Sequence, residues 1–387
     1  MNEFDYIIVG AGFAGSVVAR MMADNNKKVL VIDKRGHIAG NMYECFDENN
    51  VRIHLFGPHI FHANNIEVFE FLKKYSDFYM YEHKVVGRIE GKVVPIPFNF
   101  KSLDMLFEPE KAEEIKSKLK ENFKQEKVSI LDLINHNDEI IKEFGNYVYK
   151  NVFENYTAKQ WEISVKDIDK SVINRVPVVL GYDDRYFNDK IQYMPTEGYT
   201  KLFENLLNND NITVKLNTNA KDVLKLDNDK ILVENIEFNG KVIFTGAIDE
   251  FLDYKYGQLP YRSLNLVFES YDMDDFQGHS VVNYPNEEKF TRITEFKHLT
   301  NQKLEGKTTI LKEYPAKYDP SNEKFKDQFY PILDEKNYEL YNKYKLEVEK
   351  YKNIYLCGRL AEYKYYNMDL VIEKALELSN TLIKEEV

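Results

Sequence analysis

Three glycines and a carboxylate near the N-terminus carry the first legible chemistry. Gly10, Gly12 and Gly15 form a Gly-x-Gly-x-x-Gly run that follows the apolar stretch Tyr6-Ile-Ile-Val and opens an alanine-rich helical segment. A second apolar run, Lys28-Val-Leu-Val-Ile, ends in Asp33. Strand, glycine turn, helix and second strand make a βαβ unit. Gly10 permits the tight turn, Gly12 lets the backbone approach a pyrophosphate, and Gly15 lets helix and strand pack closely. Unpaired N–H groups at the helix start face the phosphates, and Asp33 can accept from a ribose hydroxyl. Glycine turns are common, so the triplet alone says little; with its flanking strands and terminal carboxylate it points to a dinucleotide site for NAD or FAD.

The residues that follow lean towards FAD. Lys34-Arg35-Gly36-His37-Ile38-Ala39-Gly40-Asn41 is a second small-residue loop, and it resembles the motif with which glutathione-reductase-like flavoproteins wrap FAD. Ala39 stands where many of those proteins have glycine, and it would be strained if the position needs a positive φ. His54, His59 and His62 flank Gly57-Pro58. No carboxylate or thiol clusters with them, so a metal site is not expected, and His59, just past the turn, is placed beside a cofactor ring.

Composition narrows the function classes. The formal charge of −12 argues against a general nucleic-acid surface, leaving an anionic substrate to be met by a few focused arginines. No run of about 20 apolar residues is present, so no membrane insertion is expected. Cys45 and Cys357 are too few for a disulfide framework and fit no metal spacing. With a strand beginning at once and no signal peptide read, the expected location is the cytoplasm.

Further elements must position these groups. Asn64-Asn65 caps a helix from Ile66 to about Tyr75, and a hairpin turns at Glu90-Gly91. From Ser102 to about Glu154 the pattern is helical, and charge runs such as Pro109-Glu-Lys-Ala-Glu-Glu read as solvated faces. A helix follows Gly198, a strand runs from Ile212 to Asn217, and Gly240 to Asp249 repeats the strand-then-glycine idea. Four period-two stretches, 262–268, 280–284, 291–296 and 308–314, predict an antiparallel sheet. Asn353 to Gly358 is a buried strand ending in glycine before the C-terminal helix, so the cofactor domain is discontinuous.

Several motifs in series carry a resemblance: Gly57-Pro58-His59-Ile60-Phe61-His62, Tyr156-Thr157-Ala158-Lys159-Gln160-Trp161, Tyr261-Arg262-Ser263, Thr291-Arg292-Ile293, Lys312-Glu313-Tyr314-Pro315 and Gly358-Arg359-Leu360-Ala361-Glu362 to Tyr366. Together with the glycine fingerprint they span nearly the whole chain, which closely resembles the bacterial UDP-galactopyranose mutases. The implied fold is α/β, with a discontinuous FAD-binding Rossmann-like domain of the glutathione-reductase-like kind (1–80, 195–250 and 350–387). Into it are set an α-helical domain (100–160, followed by a mobile substrate loop) and an antiparallel β-sheet substrate domain (83–99, 161–194 and 255–349).

The resemblance implies a non-redox interconversion of UDP-galactopyranose and UDP-galactofuranose. Reduced FAD, supplied with electrons by NAD(P)H or another donor, would attack the anomeric carbon through N5 as UDP leaves. Arg175 and Arg292 match the diphosphate-holding arginines, and Tyr186, Tyr330 and Tyr365 match phosphate or sugar donors. Phe153 and Tyr156 match the uracil platform, Asn283 lies near ribose or base, and Trp161 borders the sugar pocket. Arg359 and His59 match groups beside the flavin. Gly10, Gly12, Phe13, Ala14, Gly15, Asp33, Lys34, Gly40, Asn41, Ile60, Asn219, Ala220, Gly358, Tyr366 and Met368 complete the expected cofactor contacts. A homodimer serving cell-surface polysaccharide synthesis is implied as well.

Three departures bear on the sugar: Asn367 for an aspartate, Glu197 for a glycine and Pro58 for a small residue. Relatives of this architecture act on UDP-N-acetylgalactosamine or dTDP-fucose, which leaves those substrates as alternatives. An FAD oxidoreductase of the amine-oxidase type and a non-catalytic nucleotide-sugar-binding protein are the competing classes.

Overall fold

The computed structural model describes residues 3–161 and 177–385. A parallel sheet holds the N-terminal glycine turn, with strands in the order Ile212–Lys215, Val29–Ile32, Tyr6–Val9, Lys241–Phe244 and Ile354–Leu356. The three inner strands are buried on both faces, as their apolar runs require, whereas the edge strand Ile212–Lys215 exposes Thr213 and Lys215. Alternation sends Ile8, Val29, Val31 and Ile243 into one core, against the helices Phe13–Asp24, Tyr199–Leu207 and Met368–Glu385. It sends Ile7, Leu30, Ile32, Val242 and Phe244 into a second core, with the helices Ile248–Phe251 and Glu335–Val348. Residues brought from four separated stretches of chain therefore share one sheet.

The period-two stretches form a seven-stranded sheet ordered Tyr330–Pro331, Tyr261–Tyr271, Thr308–Lys317, Arg292–Glu295, Val281–Asn283, Val85–Ile89 and Lys92–Ile96. It is antiparallel except for one neighbour pair, since Val281–Asn283 runs parallel to Val85–Ile89. The strand Ile191–Pro195, most of which falls in the stretch 161–194 assigned to the substrate domain, instead pairs with Phe61–Ala63 and Phe78–Met80. Its buried Ile191 and Met194 face the core that also holds Phe61, Phe69 and Leu202, and that burial decides its place.

Short capped helices build the inserted unit. Asn99 and Ser102 form a capping box at Phe100–Leu106, and Ser129 and Asp138 cap Ile130–Ile134 and Glu139–Val148. On the charge-rich helix Pro109–Asn122, Lys116 departs from the solvated face expected. Its ammonium is buried and held by Asp104, by Glu113 at 2.6 Å and by the Tyr182 hydroxyl at 3.1 Å. Gly145 lets two of these helices touch, because a Cβ there would lie 2.7 Å from Leu133 Cβ and 2.8 Å from Ile134 N. Gly145→Ala should therefore destabilise the protein by about 1–3 kcal/mol through overpacking, read as a lower denaturation midpoint.

Candidate active site

At the carboxyl ends of the parallel strands lies a solvent-open cleft of about 260 Å³. The three glycines do three different jobs there. Gly10 has φ +105°, and a Cβ would stand 2.1 Å from the Thr245 hydroxyl. Gly15 presses helix onto strand, its Cβ position only 1.9 Å from the Gly10 carbonyl oxygen. Gly12 meets no such obstruction, since the nearest atom, Gly40 Cα, is 3.8 Å away, so its missing side chain leaves room in the cleft itself.

Asp33 receives the N–H groups of Ala11 at 2.8 Å and Arg35 at 2.9 Å on separate carboxylate oxygens. Each oxygen keeps a second lone pair for a ligand hydroxyl. Ala39 is buried at φ +71°, tied by its N–H to the Ala11 carbonyl at 2.9 Å, so this alanine does occupy a left-handed position. Across the rim, Lys34 pairs with Glu250 at 2.9 Å, and Arg35 reaches both Asp327 and Asn41 at 2.8 Å. Gln328 lines the same cleft, 8% exposed, and its carboxamide nitrogen has no hydrogen-bond partner among the described residues. An unobstructed glycine, an acidic acceptor and an orphan donor together fit an extended dinucleotide.

A second group of side chains gathers beside the first. On neighbouring strands Asn283 faces Arg292, and Arg292 faces Glu313. Arg292 Nε donates to Glu313 Oε1 at 2.6 Å, with Glu313 only 2% exposed. Burial works against the Arg292 charge, but Glu313 and Tyr156 more than offset that and hold the guanidinium above its ordinary value. Tyr156, Tyr186 and Tyr330 all lie close enough to feel that charge; burial raises each phenol and Arg292 only partly reverses it. They are therefore protonated hydrogen-bond donors at neutral pH.

Arg359 joins the two groups. It lines the dinucleotide cleft, donates to the carbonyls of Phe329 at 3.2 Å and Tyr366 at 3.1 Å, and lies 5.4 and 5.5 Å over the rings of Tyr330 and Tyr365. Those two rings stack at 5.8 Å. His59 stands near both Arg359 and Arg292, its Nδ1 without a hydrogen-bond partner among the described residues; burial, then His54 and Arg359, lowers its pKa well below the ordinary value.

Thirteen expected cofactor residues line the cleft: Gly10, Gly12, Phe13, Ala14, Asp33, Lys34, Gly40, Asn41, Asn219, Ala220, Gly358, Arg359 and Met368. Gly15 and Ile60 lie behind it in the packing, His59 lies towards Arg292, and Tyr366 offers its carbonyl to Arg359. Of the expected substrate residues, Arg292, Asn283, Tyr156, Tyr186, Tyr330 and Tyr365 converge. Phe153 is instead buried in the core of the helical unit, with Phe144 and Val148. Asn367 is exposed between Tyr366 and Met368, and Glu197 is exposed beside Gly198. Arg175 lies outside the described residues, and Trp161 ends the helix Asn155–Trp161.

Reading the sequence gave no role to Glu313, His83 or Gln328. Glu313 lies within Lys312-Glu313-Tyr314-Pro315, but its partner is fixed only by sheet register. His83 is 4% exposed, stacks near Phe187 and meets the edge of Tyr186, with its pKa pushed down to about 3 by burial, then Arg292 and His62. No local signal distinguishes it. Away from the cleft, Asp275, Glu295 and His298 bring potential metal-ligand atoms within 4.8 Å of one another. The Glu295 oxygens there already accept from Phe276, Gln277 and Thr308.

Known proteins can now be set beside this geometry. The sequence model for UDP-galactopyranose mutase matches residues 151–365, which hold Tyr156, Arg292, Glu313, Arg359 and Tyr365. The chain belongs to the UDP-galactopyranose mutase family. It is therefore a member of a family of isomerases. A model for an NAD(P)-binding Rossmann-like domain matches residues 8–75. The chain is 35% identical to dTDP-fucopyranose mutase of Escherichia coli, over 98% of each chain, and 35% identical to UDP-galactopyranose mutase of Mycoplasma genitalium, over 98% of this chain and 95% of that one. A crystal structure of reduced UDP-galactopyranose mutase superposes with a TM-score of 0.72 at 16% identity, covering 98% and 94% of the two chains. A putative protoporphyrinogen oxidase from Exiguobacterium shares the fold at 0.61 and 13% identity, covering 98% of both.

Within this mutase, two glycine variants should part company. Gly15→Ala should lower the denaturation midpoint, whereas Gly12→Ala should melt like the parent yet bind its dinucleotide at least about tenfold more weakly in titrations of apoprotein. Acid should also weaken the fold through His83. The unfolded chain protonates this residue near 6.5, while the folded chain resists until about 3, so stability present above that window is lost as pH falls through it. Between pH 7 and 5 the loss should be on the order of 2 kcal/mol, and denaturant titrations of His83→Phe should show a correspondingly flatter pH dependence.

Proposed function

We propose that the chain interconverts the pyranose and furanose forms of a nucleotide-linked hexose, with UDP-galactose as first substrate and FAD as cofactor. The observation that carries the reading is the convergence of the Arg292–Glu313 pair and three protonated tyrosines on a cleft that Arg359 joins to the dinucleotide site. Such a group suits a diphosphate that must be gripped as it departs. Glu313 fixes the guanidinium plane, so little reorganisation is needed when charge develops on the leaving oxygen. Arg175 would hold the same phosphates.

In this reading, bound FAD in its reduced form would supply nucleophilic chemistry at N5 towards the anomeric carbon, with UDP as the leaving group. The protein's part is to hold the hexose over that nitrogen and keep water out. Tyr186, Tyr330 and Tyr365 donate to phosphate or sugar oxygens. Tyr156 forms the nucleobase platform, and Asn283 meets ribose or base. His59, kept neutral by burial, and Arg359 flank the cofactor ring. Electrons come from NAD(P)H or another donor in a single priming step, and the enzyme works as a cytoplasmic homodimer supplying cell-surface polysaccharide synthesis.

A second substrate has specific support. The Escherichia coli relative is named a dTDP-fucopyranose mutase, and it matches as closely as the Mycoplasma genitalium UDP-galactopyranose mutase. Asn367, exposed beside the Tyr365-Tyr366 pair, puts an amide where a carboxylate is expected, a change that bears on sugar preference.

An anaerobic assay with dithionite, comparing UDP-galactose, UDP-N-acetylgalactosamine and dTDP-fucose by chromatography, tests both readings. Furanose product without stoichiometric reductant supports the mutase, and stoichiometric reductant use or no product on any of the three rejects it. Arg292→Ala should lower kcat/KM about 10²–10³-fold. Because it leaves Glu313 buried and unpaired, the double variant Arg292→Met, Glu313→Gln should show the same loss with stability nearer the parent's.

A further inference from the structure

We propose that His54, backed by Glu44, is a positioning residue that locks the backbone of the Gly57-Pro58-His59 turn where the two clefts meet; its bearing on turnover rests on the reading above. His54 ends the strand Arg52–His54, which pairs with Glu44–Phe46 so that Glu44 and His54 face each other. Both are buried, and neither lines the dinucleotide cleft.

His54 Nδ1 accepts the backbone N–H of His59 at 3.2 Å. A nitrogen that accepts must be bare, so the ring hydrogen sits on Nε2, and that nitrogen lies 3.0 Å from Glu44 Oε2. The carboxylate stands off the line of a well-formed hydrogen bond, and its hold on the ring is electrostatic. The imidazole is also wedged between Tyr199 and Phe296, with centroids 5.8 and 5.9 Å away. Glu44 itself cannot drift. Thr200 accepts its N–H at 3.0 Å and donates to its carbonyl at 2.8 Å, and Gly198 is bare where a Cβ would stand 1.6 Å from Glu44 Oε1.

One peptide orientation follows from this arrangement. Because the peptide is planar and trans, aiming the His59 N–H at His54 turns the Pro58 carbonyl the opposite way. The same turn carries Gly57, at φ +93° and with its Cβ position 3.9 Å from Glu313 Oε1, and the His59 ring, which feels Arg359. A buried carboxylate and imidazole make poor filler compared with apolar side chains, whereas a directional acceptor for one backbone N–H is something only such a pair supplies here.

Amide hydrogen exchange across residues 55–62 of the full-length, cofactor-loaded protein tests the lock, with turnover measured in parallel. His54→Leu should speed exchange at His59 at least tenfold, leave the strand Tyr6–Val9 unchanged, and lower kcat with little change in KM. His54→Asn, whose side-chain oxygen can take the place of Nδ1, should restore both protection and most of kcat. Parent-like exchange in His54→Leu, or an Asn variant that exchanges as fast as Leu, overturns the proposal. If His54→Leu does not fold, Glu44→Gln carries the test: at least threefold faster exchange at His59 supports the lock, and parent-like exchange overturns it. Faster exchange with unchanged kcat overturns the link to catalysis alone. The exchange result stands whichever nucleotide sugar is the substrate, so failure of the lock and failure of the functional reading are distinguishable.

Discussion

A guanidinium and a carboxylate held side by side on neighbouring strands govern the cleft proposed to take the substrate. Glu313 is almost wholly buried, and a lone ionised carboxylate there would carry a heavy desolvation cost. Arg292 relieves it at 2.6 Å, and the pair is possible only because sheet register sets Arg292 opposite Glu313. A slip of one residue between the two strands would put Arg292 and Glu313 on opposite faces of the sheet. The Arg292 charge lies near three half-buried phenols that stay protonated, so donors and cation converge. An anionic group entering it meets preorganised partners.

That cleft has meaning only beside the other one. The dinucleotide site depends on contacts closer than any side chain allows, at Gly10 and Gly15, and on an open approach at Gly12. Its walls come from the N-terminal turn, residues 218–221, 244–251 and 326–329, and the segment after Gly358. Arg359 spans the seam, bound to two backbone carbonyls on one side and lying over two tyrosine rings on the other. A shift in any of these segments would separate cofactor from substrate, which explains how a discontinuous chain can still build one site.

Much of this was legible in the sequence, and the reasons differ by residue. Gly10, Gly12, Gly15 and Asp33 announce themselves because a βαβ turn imposes fixed spacing. Period-two alternation revealed the strands that carry Asn283, Arg292 and Glu313. The Arg292–Glu313 pairing remained hidden, because nothing local encodes the register between residues 21 apart in sequence or the parallel neighbour Val85–Ile89. Lys116 read as solvated because helical periodicity does not reveal that Asp104 and Tyr182 would fold over it. Ile191–Pro195 joined a different sheet because tertiary burial, not strand propensity, chose its partners. His83, Gln328 and the Glu44–His54 pair are visible only once their surroundings exist.

In the function proposed above, the cofactor's reactive nitrogen and the departing diphosphate would face each other across the Arg359 seam. Reduced enzyme incubated with UDP-galactose and quenched with cyanoborohydride, followed by mass analysis of the extracted cofactor, tests it most directly. The account predicts FAD heavier by one reductively trapped hexose, diminished in Arg292→Ala. Unmodified FAD from enzyme that turns over at full rate would contradict it.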